Sequence, residues 1–331
     1  MSDLQTASSS DAIQVPAITV PAPTHLSQMA RMMLTPQKSS TPSTYPGLND
    51  TRGWHNVIST FNELMSYMTK QLGEINVQSS SRRMINNVPV FDIVPIEESG
   101  NSTNGIILDI HGGALIFGAG EIAQKMSAKF AMQIGRRVCS VDYRMPPDHP
   151  YPAGLDDCMT VYLALLNEYD AREILVSGAS AGRNLAAALI LRLRDEGLPL
   201  PSGLILKTPE VDLTESGDSF QTNIHLDSTL WSLLQVNQLY AAGHDLRHPY
   251  LSPLFADFSQ GFVPTLLTSG TRDLFLSNAV RMHRALRKAD IPAELHILDA
   301  ASHTGFSGAP EAEEINLEIR KFIATCLKEA E

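Results

Sequence analysis

Residues 173–190 read as one unit. An apolar run at 174–176 leads into Gly178-Ala179-Ser180-Ala181-Gly182, and an Ala/Leu-rich segment follows to about Arg194. An apolar run that short, bounded by a turn, is expected to be a buried strand, and the segment from about 181 to 194 a helix. The glycines flanking Ser180 let the chain turn sharply where a Cβ would clash with the neighbouring strand or helix. Strand, Gly-x-Ser-x-Gly and helix in that order form the context of a nucleophile elbow. Such a turn presents the Ser180 hydroxyl at a helix N-terminus, whose free N–H groups favour negative charge. A glycine-rich turn that merely packs a helix on a sheet has the same local pattern, so other residues must decide.

The rest of the chain keeps a β-α rhythm. Strands are expected at 82–84 and 88–96, joined by a turn at Asn86-Asn87, and at 105–110, 137–143, 203–207, 263–268 and 293–298. Helices are expected at 53–72, where Trp54, Ile58, Phe61, Leu64, Met65, Met68 and Leu72 recur at helical spacing, and at 121–134, 155–168, 277–289 and 311–327. Alternating strands and helices imply a mostly parallel sheet covered on both faces, and the early hairpin supplies an antiparallel edge. Residues 212–250 break the rhythm with a polar loop and an amphipathic helix near 228–242. The first 50 or so residues are rich in Ser, Thr and Pro; a short helix around 26–34 and a flexible tail over 1–14 are expected there.

Composition narrows the function classes. The chain has 331 residues, 43% apolar and 18% charged, with a net charge of −11 and no Lys/Arg cluster, which argues against a nucleic-acid or anionic-membrane surface. Cys139, Cys158 and Cys326 are widely spaced, as buried free thiols would be, and offer no metal-site spacing. No apolar run reaches the roughly 18 residues a bilayer crossing needs. The start of the chain carries Asp3 and Asp11 and has neither a basic nor an apolar signal region. The cytoplasm is the expected compartment.

Acyl transfer needs a nucleophile, a base, an acid that orients the base, and donors for an oxyanion. In an open parallel sheet these belong at the carboxyl ends of strands. Asp273 follows the strand expected at 263–268, and His303 follows the one at 293–298. The order Ser180, Asp273, His303 is that of an α/β-hydrolase. Glu210, at the end of the preceding strand, is a rival acid. His111-Gly112-Gly113-Ala114 follows the strand at 105–110; its glycines let the N–H groups of Gly112 and Gly113, with that of Ala181, point at an oxyanion. His111 would brace that loop rather than move protons.

Five stretches, spanning about 105–306, together resemble the bacterial hormone-sensitive-lipase family of carboxylesterases in the α/β-hydrolase superfamily. They are His111-Gly-Gly-Ala114, Ser140-Val-Asp-Tyr-Arg-Met-Pro-Pro-Asp-His-Pro-Tyr-Pro-Ala153, the Gly178–Gly182 elbow, Ser252-Pro-Leu-Phe-Ala-Asp257 and His303-Thr-Gly-Phe306. The resemblance implies an α/β-hydrolase fold with an eight-stranded sheet flanked by helices, a helical cap and no cofactor. The N-terminal arm and cap helices would occupy 1–72 and the core 73–331, with a cap insertion at about 212–250. It implies a serine carboxylesterase acting on small-molecule esters through Ser180, His303 and Asp273, and a homodimer through an edge strand or the N-terminal arm. A lactonase or amidase would use the same machinery. A small-molecule receptor on this fold usually lacks the triad histidine, which here stands in place. Trp54, Phe61, Met65, Met68, Leu230 and Trp231 could line an apolar pocket or simply be core.

Four positions depart from the family pattern. Ala114 stands where a third glycine is usual, Ala179 where Asp is common, and Ser277 where an acidic residue is usual four positions after Asp273. Arg183 replaces a glycine, and its side chain is expected to leave the strand–helix contact toward an acidic partner.

Overall fold

The computed structural model describes residues 13–34, 45–96 and 105–327. The flexible tail expected over 1–14 falls almost wholly outside these residues, as does the stretch between the strands expected at 88–96 and 105–110. The elements in chain order are α1 (Gln28–Met33), α2 (Thr51–Gln71), β1 (Val77–Ile85), β2 (Val88–Pro95), β3 (Ile106–Ile110), α3 (Glu121–Ile134), β4 (Val138–Val141), α4 (Ala153–Leu165), β5 (Ile174–Ala179), α5 (Gly182–Asp195), β6 (Gly203–Lys207), α6 (Ser219–Thr222), α7 (Leu234–Ala241), β7 (Thr265–Gly270), α8 (Leu276–Lys288), β8 (Ala293–Leu298) and α9 (Pro310–Cys326).

The continuous apolar runs become central strands because both faces of each are covered. In β3, Ile106, Leu108 and Ile110 point to the layer that holds Leu155 and Leu189, while Ile107 points to the layer that holds Phe130 and Ile319. Val176 and Leu206 share the first layer, and Leu175 and Ile205 the second. Helices α4 and α5 therefore cover one face, and α3 and α9 the other. Truncating a fully buried leucine here, such as Leu108 (0% exposed), to alanine would cost about 2–5 kcal/mol.

The eight strands run in the order β1-β2-β4-β3-β5-β6-β7-β8. β1 pairs antiparallel with β2 and β2 with β4; every later pairing is parallel. The fold is thus the mostly parallel, eight-stranded α/β architecture expected. Asn86 and Asn87, both at positive φ (46° and 68°), make the hairpin turn, a conformation asparagine tolerates better than most residues.

Two elements differ from expectation. β1 begins at Val77 rather than at residue 82, because backbone pairing with β2 extends it through exposed polar residues that carry no apolar alternation. The helix expected over 228–242 is reduced to Leu234–Ala241. Upstream, Asp227 Oδ1 takes the N–H groups of Thr229 and Leu230, and Glu215 takes that of Leu233. Side-chain acceptors thereby replace the helical ones.

A separate apolar cluster joins Trp54 of α2, Phe220 of α6 and Leu233, Val236 and Leu239 around α7 to Ile116, Leu274 and Phe275. The last three lie on the loops after β3 and β7, so these helices pack above the carboxyl ends of the strands. Among the described residues no helix is long and apolar enough to cross a membrane, and no cluster of His, Cys, Asp or Glu has the makings of a metal site.

Candidate active site

β5 ends at Ala179 and α5 begins at Gly182, which leaves only Ser180 and Ala181 to turn the chain. Ser180 takes φ +50°, a left-handed conformation that costs a non-glycine residue of order 1–3 kcal/mol. Close packing imposes it. A Cβ on Gly178 would stand 2.7 Å from the Gly182 backbone, and one on Gly182 would run into the carbonyl oxygens of Ile110 and His111. The turn is squeezed between β3 and its own helix, and Ser180 projects from it. No side chain caps the N-terminus of α5, which leaves that end of the helix available to an anion.

His303 comes from the loop after β8, and its Nε2 stands 2.8 Å from Ser180 Oγ. Its Nδ1 faces Asp273 Oδ1 at 3.3 Å. Asp273, from the loop after β7, is fully buried, and two other donors hold its carboxylate: the Phe275 N–H to Oδ1 (2.9 Å) and the Ser269 hydroxyl to Oδ2 (2.6 Å). The Phe275 ring meets the imidazole edge-on at 5.0 Å. Residues separated by up to 123 positions thus form one hydrogen-bonded chain. Ser269 went unnoticed in the sequence, although its place at the end of β7, four residues before Asp273, was a usable signal.

The loop after β3 lies against the elbow. A Cβ on Gly112 would come within 2.6 Å of the Ala179 carbonyl and 3.0 Å of Ser180 Cβ, so only glycine lets this backbone approach Ser180. Gly113 sits at φ +127° and its carbonyl accepts the N–H groups of Ile116 and Phe117, both at 2.9 Å. Ala114, where a third glycine would be expected, takes φ +50°, a left-handed conformation that glycine adopts without strain. His111 is buried against the Tyr143 ring, with centroids 4.2 Å apart. Its Nδ1 lies 2.7 Å from the Gly112 carbonyl and so donates to it, while Tyr143 donates its hydroxyl to the His111 carbonyl (2.9 Å). Burial lowers the His111 pKa, which favours a neutral ring that shapes the loop.

Over residues 107–307 the chain matches the family model for the alpha/beta hydrolase fold. It belongs to the α/β-hydrolase family. An esterase of Acinetobacter venetianus is 32% identical to the hydrolase over 255 residues, 71% of this chain and 82% of its own. The crystal structure of an esterase, E25, superposes with a TM-score of 0.88 at 32% identity, covering 97% of this chain and 99% of the other. The hormone-sensitive-lipase homologue EstE7, from a metagenome library, superposes at 0.75 with 27% identity, covering 86% and 100%.

Glu210, the rival acid, meets neither His303 nor any full hydrogen-bond partner through its carboxylate. It is sealed in at 1% exposure. Burial pushes its pKa up to about 8, with help from the charge of Glu215, and the nearby Asn237 amide only partly offsets this.

Arg183 corrects an expectation. Its guanidinium does not leave for a carboxylate but stays buried, donating to the carbonyl of Gly178 (2.8 Å) and to the carbonyl and hydroxyl of Thr208 (2.9 and 2.6 Å). The physical reason is proximity: β6 ends beside the elbow, and Thr208, at φ +52°, turns its carbonyl toward it. Burial lowers the Arg183 pKa to about 9, against the pull of Asp273 and Asp109.

The apolar candidates divide. Trp54 is core. Phe61 stacks between Phe117 of the glycine loop (5.1 Å) and Trp231 (5.9 Å), whose indole N–H donates to Tyr45. Leu230 packs beside the cluster that holds Trp54, and Met68 is largely exposed. A groove of about 710 Å³ between α2 and the start of α3, lined by His55, Asn62, Tyr67, Lys70 and Glu121 among others, contains none of the residues grouped around Ser180.

Proposed function

We propose that this hydrolase cleaves small-molecule carboxylic esters, with Ser180 as nucleophile, His303 as general base and acid, and Asp273 orienting the imidazole. The observation that carries this reading is the 2.8 Å contact from Ser180 Oγ to His303 Nε2, backed by Asp273 on the far side of the ring. His303 takes the hydroxyl proton as Ser180 Oγ attacks the ester carbonyl. The N–H groups of Gly112, Gly113 and Ala181 stabilise the tetrahedral oxyanion, and removing one such donor costs about a hundredfold to a thousandfold in rate. His303 then protonates the departing alcohol, leaving an acyl group on Ser180. Water, deprotonated by His303, attacks that ester, and the second collapse returns Ser180.

Helices α1 and α2, within residues 1–72, and the insertion at 212–250 serve as the cap over a core of 73–331. The stack of Phe117, Phe61 and Trp231 forms an aromatic wall at the glycine loop. The same reading places the enzyme in the cytoplasm, where its unpaired Cys139, Cys158 and Cys326 suit a reducing setting. It also assigns a homodimer through an edge strand or the N-terminal arm, which sedimentation would reveal.

A p-nitrophenyl ester chain-length series tests the function, with Ser180→Ala as control. Burst release of p-nitrophenol and an organophosphate adduct mapped by mass spectrometry to Ser180 are the expected results. Binding without turnover would instead favour a receptor, and unimpaired turnover in Ser180→Ala would overturn the assignment.

A further inference from the structure

Asp273 and His303 stand beyond the sheet that aligns their strands. The last paired residues of β7 and β8 are Gly270 and Leu298, and both functional side chains sit on loops past them. Some lacing joins these loops directly, through the Arg272 N–H to the Ala301 carbonyl and the Ala300 N–H to the Thr271 hydroxyl. Closer to the reacting groups, the tie comes from elsewhere in the chain.

Asp227 belongs to the insertion between β6 and β7 and is 3% exposed. Its Oδ2 accepts the N–H of Leu274, the residue after Asp273, at 2.9 Å, and the N–H of His303 itself at 3.2 Å. Its Oδ1 accepts the Thr229 N–H and hydroxyl, both at 2.9 Å, and the Leu230 N–H at 3.0 Å. A buried carboxylate is tolerated only when its oxygens are satisfied, and here every contact is a donor. An amide in its place would turn an NH₂ group toward one of the two sets of donors.

Neighbouring side chains of the insertion extend the grip. The Asn223 amide donates to the carbonyls of Thr271 (3.1 Å) and Asp273 (2.8 Å), the Ser219 hydroxyl to that of Leu274 (2.7 Å), and the Ser228 hydroxyl meets that of Ser302 at 2.9 Å. These bonds hold the edges of the two loops. Asp227 is the side chain among them that bonds the backbone of both at once.

We propose that Asp227 is a positioning residue for this chemistry: one oxygen sets the distance between the loop of Asp273 and the loop of His303, so the insertion that covers the site also aligns its acid with its base. The inference rests on the Ser180–His303–Asp273 reading above. It acts on the chemical step rather than on substrate binding, because misplacing an acid–base pair by a fraction of an ångström raises the barrier while leaving the pocket walls in place.

The test is Asp227→Asn in the full chain, assayed with p-nitrophenyl butyrate alongside Ser180→Ala, with folding checked by circular dichroism. Losing a hydrogen bond to a charged group should lower kcat about tenfold to a hundredfold, with KM held within about twofold. An unchanged kcat, or a loss carried by KM alone, overturns the proposal. Should Asp227→Asn fail to fold, Thr229→Ala removes only one donor to Oδ1; it should lower kcat by about twofold to fivefold at constant KM, and no change there is equally fatal. Ser180→Ala separates the two readings. If it keeps turnover, the parent mechanism fails; if it is dead while Asp227→Asn is normal, only the role of Asp227 fails.

Discussion

Arg183 holds Thr208 by both its carbonyl and its hydroxyl while also taking the carbonyl of Gly178. One buried guanidinium thereby ties the turn that bears Ser180 to the end of β6. Replacing it by methionine keeps the length of the side chain but leaves those three acceptors without a donor. Arg183→Met should lose about 2–4 kcal/mol. At roughly 2 °C per kcal/mol for a chain of this size, thermal denaturation should register a Tm lower by several degrees. A side chain that only filled space would show no such loss.

Gly182 faces a harder limit. Any Cβ there collides with the carbonyl oxygens of Ile110 and His111, which are backbone atoms of the central strand and its exit and have nowhere to move. Gly182→Ala should therefore cost several kcal/mol through strain and displacement, of the order of about 3 kcal/mol or more. Expression yield and Tm would both fall. A glycine at an open position offers the contrast: a Cβ on Gly47 meets no atom within 4 Å, and Gly47→Ala should be close to neutral.

Asp273→Asn keeps the shape of the acid but places an amide against His303 Nδ1, which favours the wrong imidazole tautomer. The expected loss in kcat is about ten-thousandfold, the scale known for a triad aspartate changed to asparagine. Glu210→Gln should leave kcat near that of the wild type, because Glu210 makes no bond to His303. Steady-state kinetics on both variants decides between the two acids, and the reverse pattern would transfer the role to Glu210.

Glu210 has a different effect, on stability against pH. Its pKa rises from an ordinary 4.5 to about 8 in the folded chain, chiefly through burial. Between those values the unfolded chain has lost this proton while the folded chain keeps it. The unfolded state then binds fewer protons, so stability falls as pH rises across that window. Glu210→Gln has no proton to lose. Asp109, raised to about 6 by burial, contributes to the lower part of the same window, so the clean comparison lies between about pH 6 and 8. Over that range the Tm of the wild type should drop more steeply than that of Glu210→Gln; parallel curves would show that Glu210 is already ionised.

Much of this fold was legible because its signals are local. A short apolar run bounded by a turn, such as 174–176, reads as a buried strand, Gly-x-Ser-x-Gly between a strand and a helix marks a sharp turn, and Asn86-Asn87 turns a hairpin by its own backbone preference. The order of Ser180, Asp273 and His303 along the chain, each at the end of an expected strand, was likewise visible in one dimension. The mostly parallel sheet followed from the alternation of strands and helices.

Contacts between distant segments were not legible. Arg183 is one residue past the elbow, yet its partner is Thr208, and no local pattern says that β6 ends beside it. Asp273 and Glu210 both follow strands, and the family resemblance favours the first; the packing that brings it to His303 and seals the second away is tertiary. Residues 228–233 have helical spacing, but Asp227 and Glu215 take their N–H groups, a competition that depends on where two carboxylates lie in space. Local preference determined which elements exist; the meeting of groups far apart in the chain, where burial makes every polar atom need a partner, was decided by the tertiary structure alone.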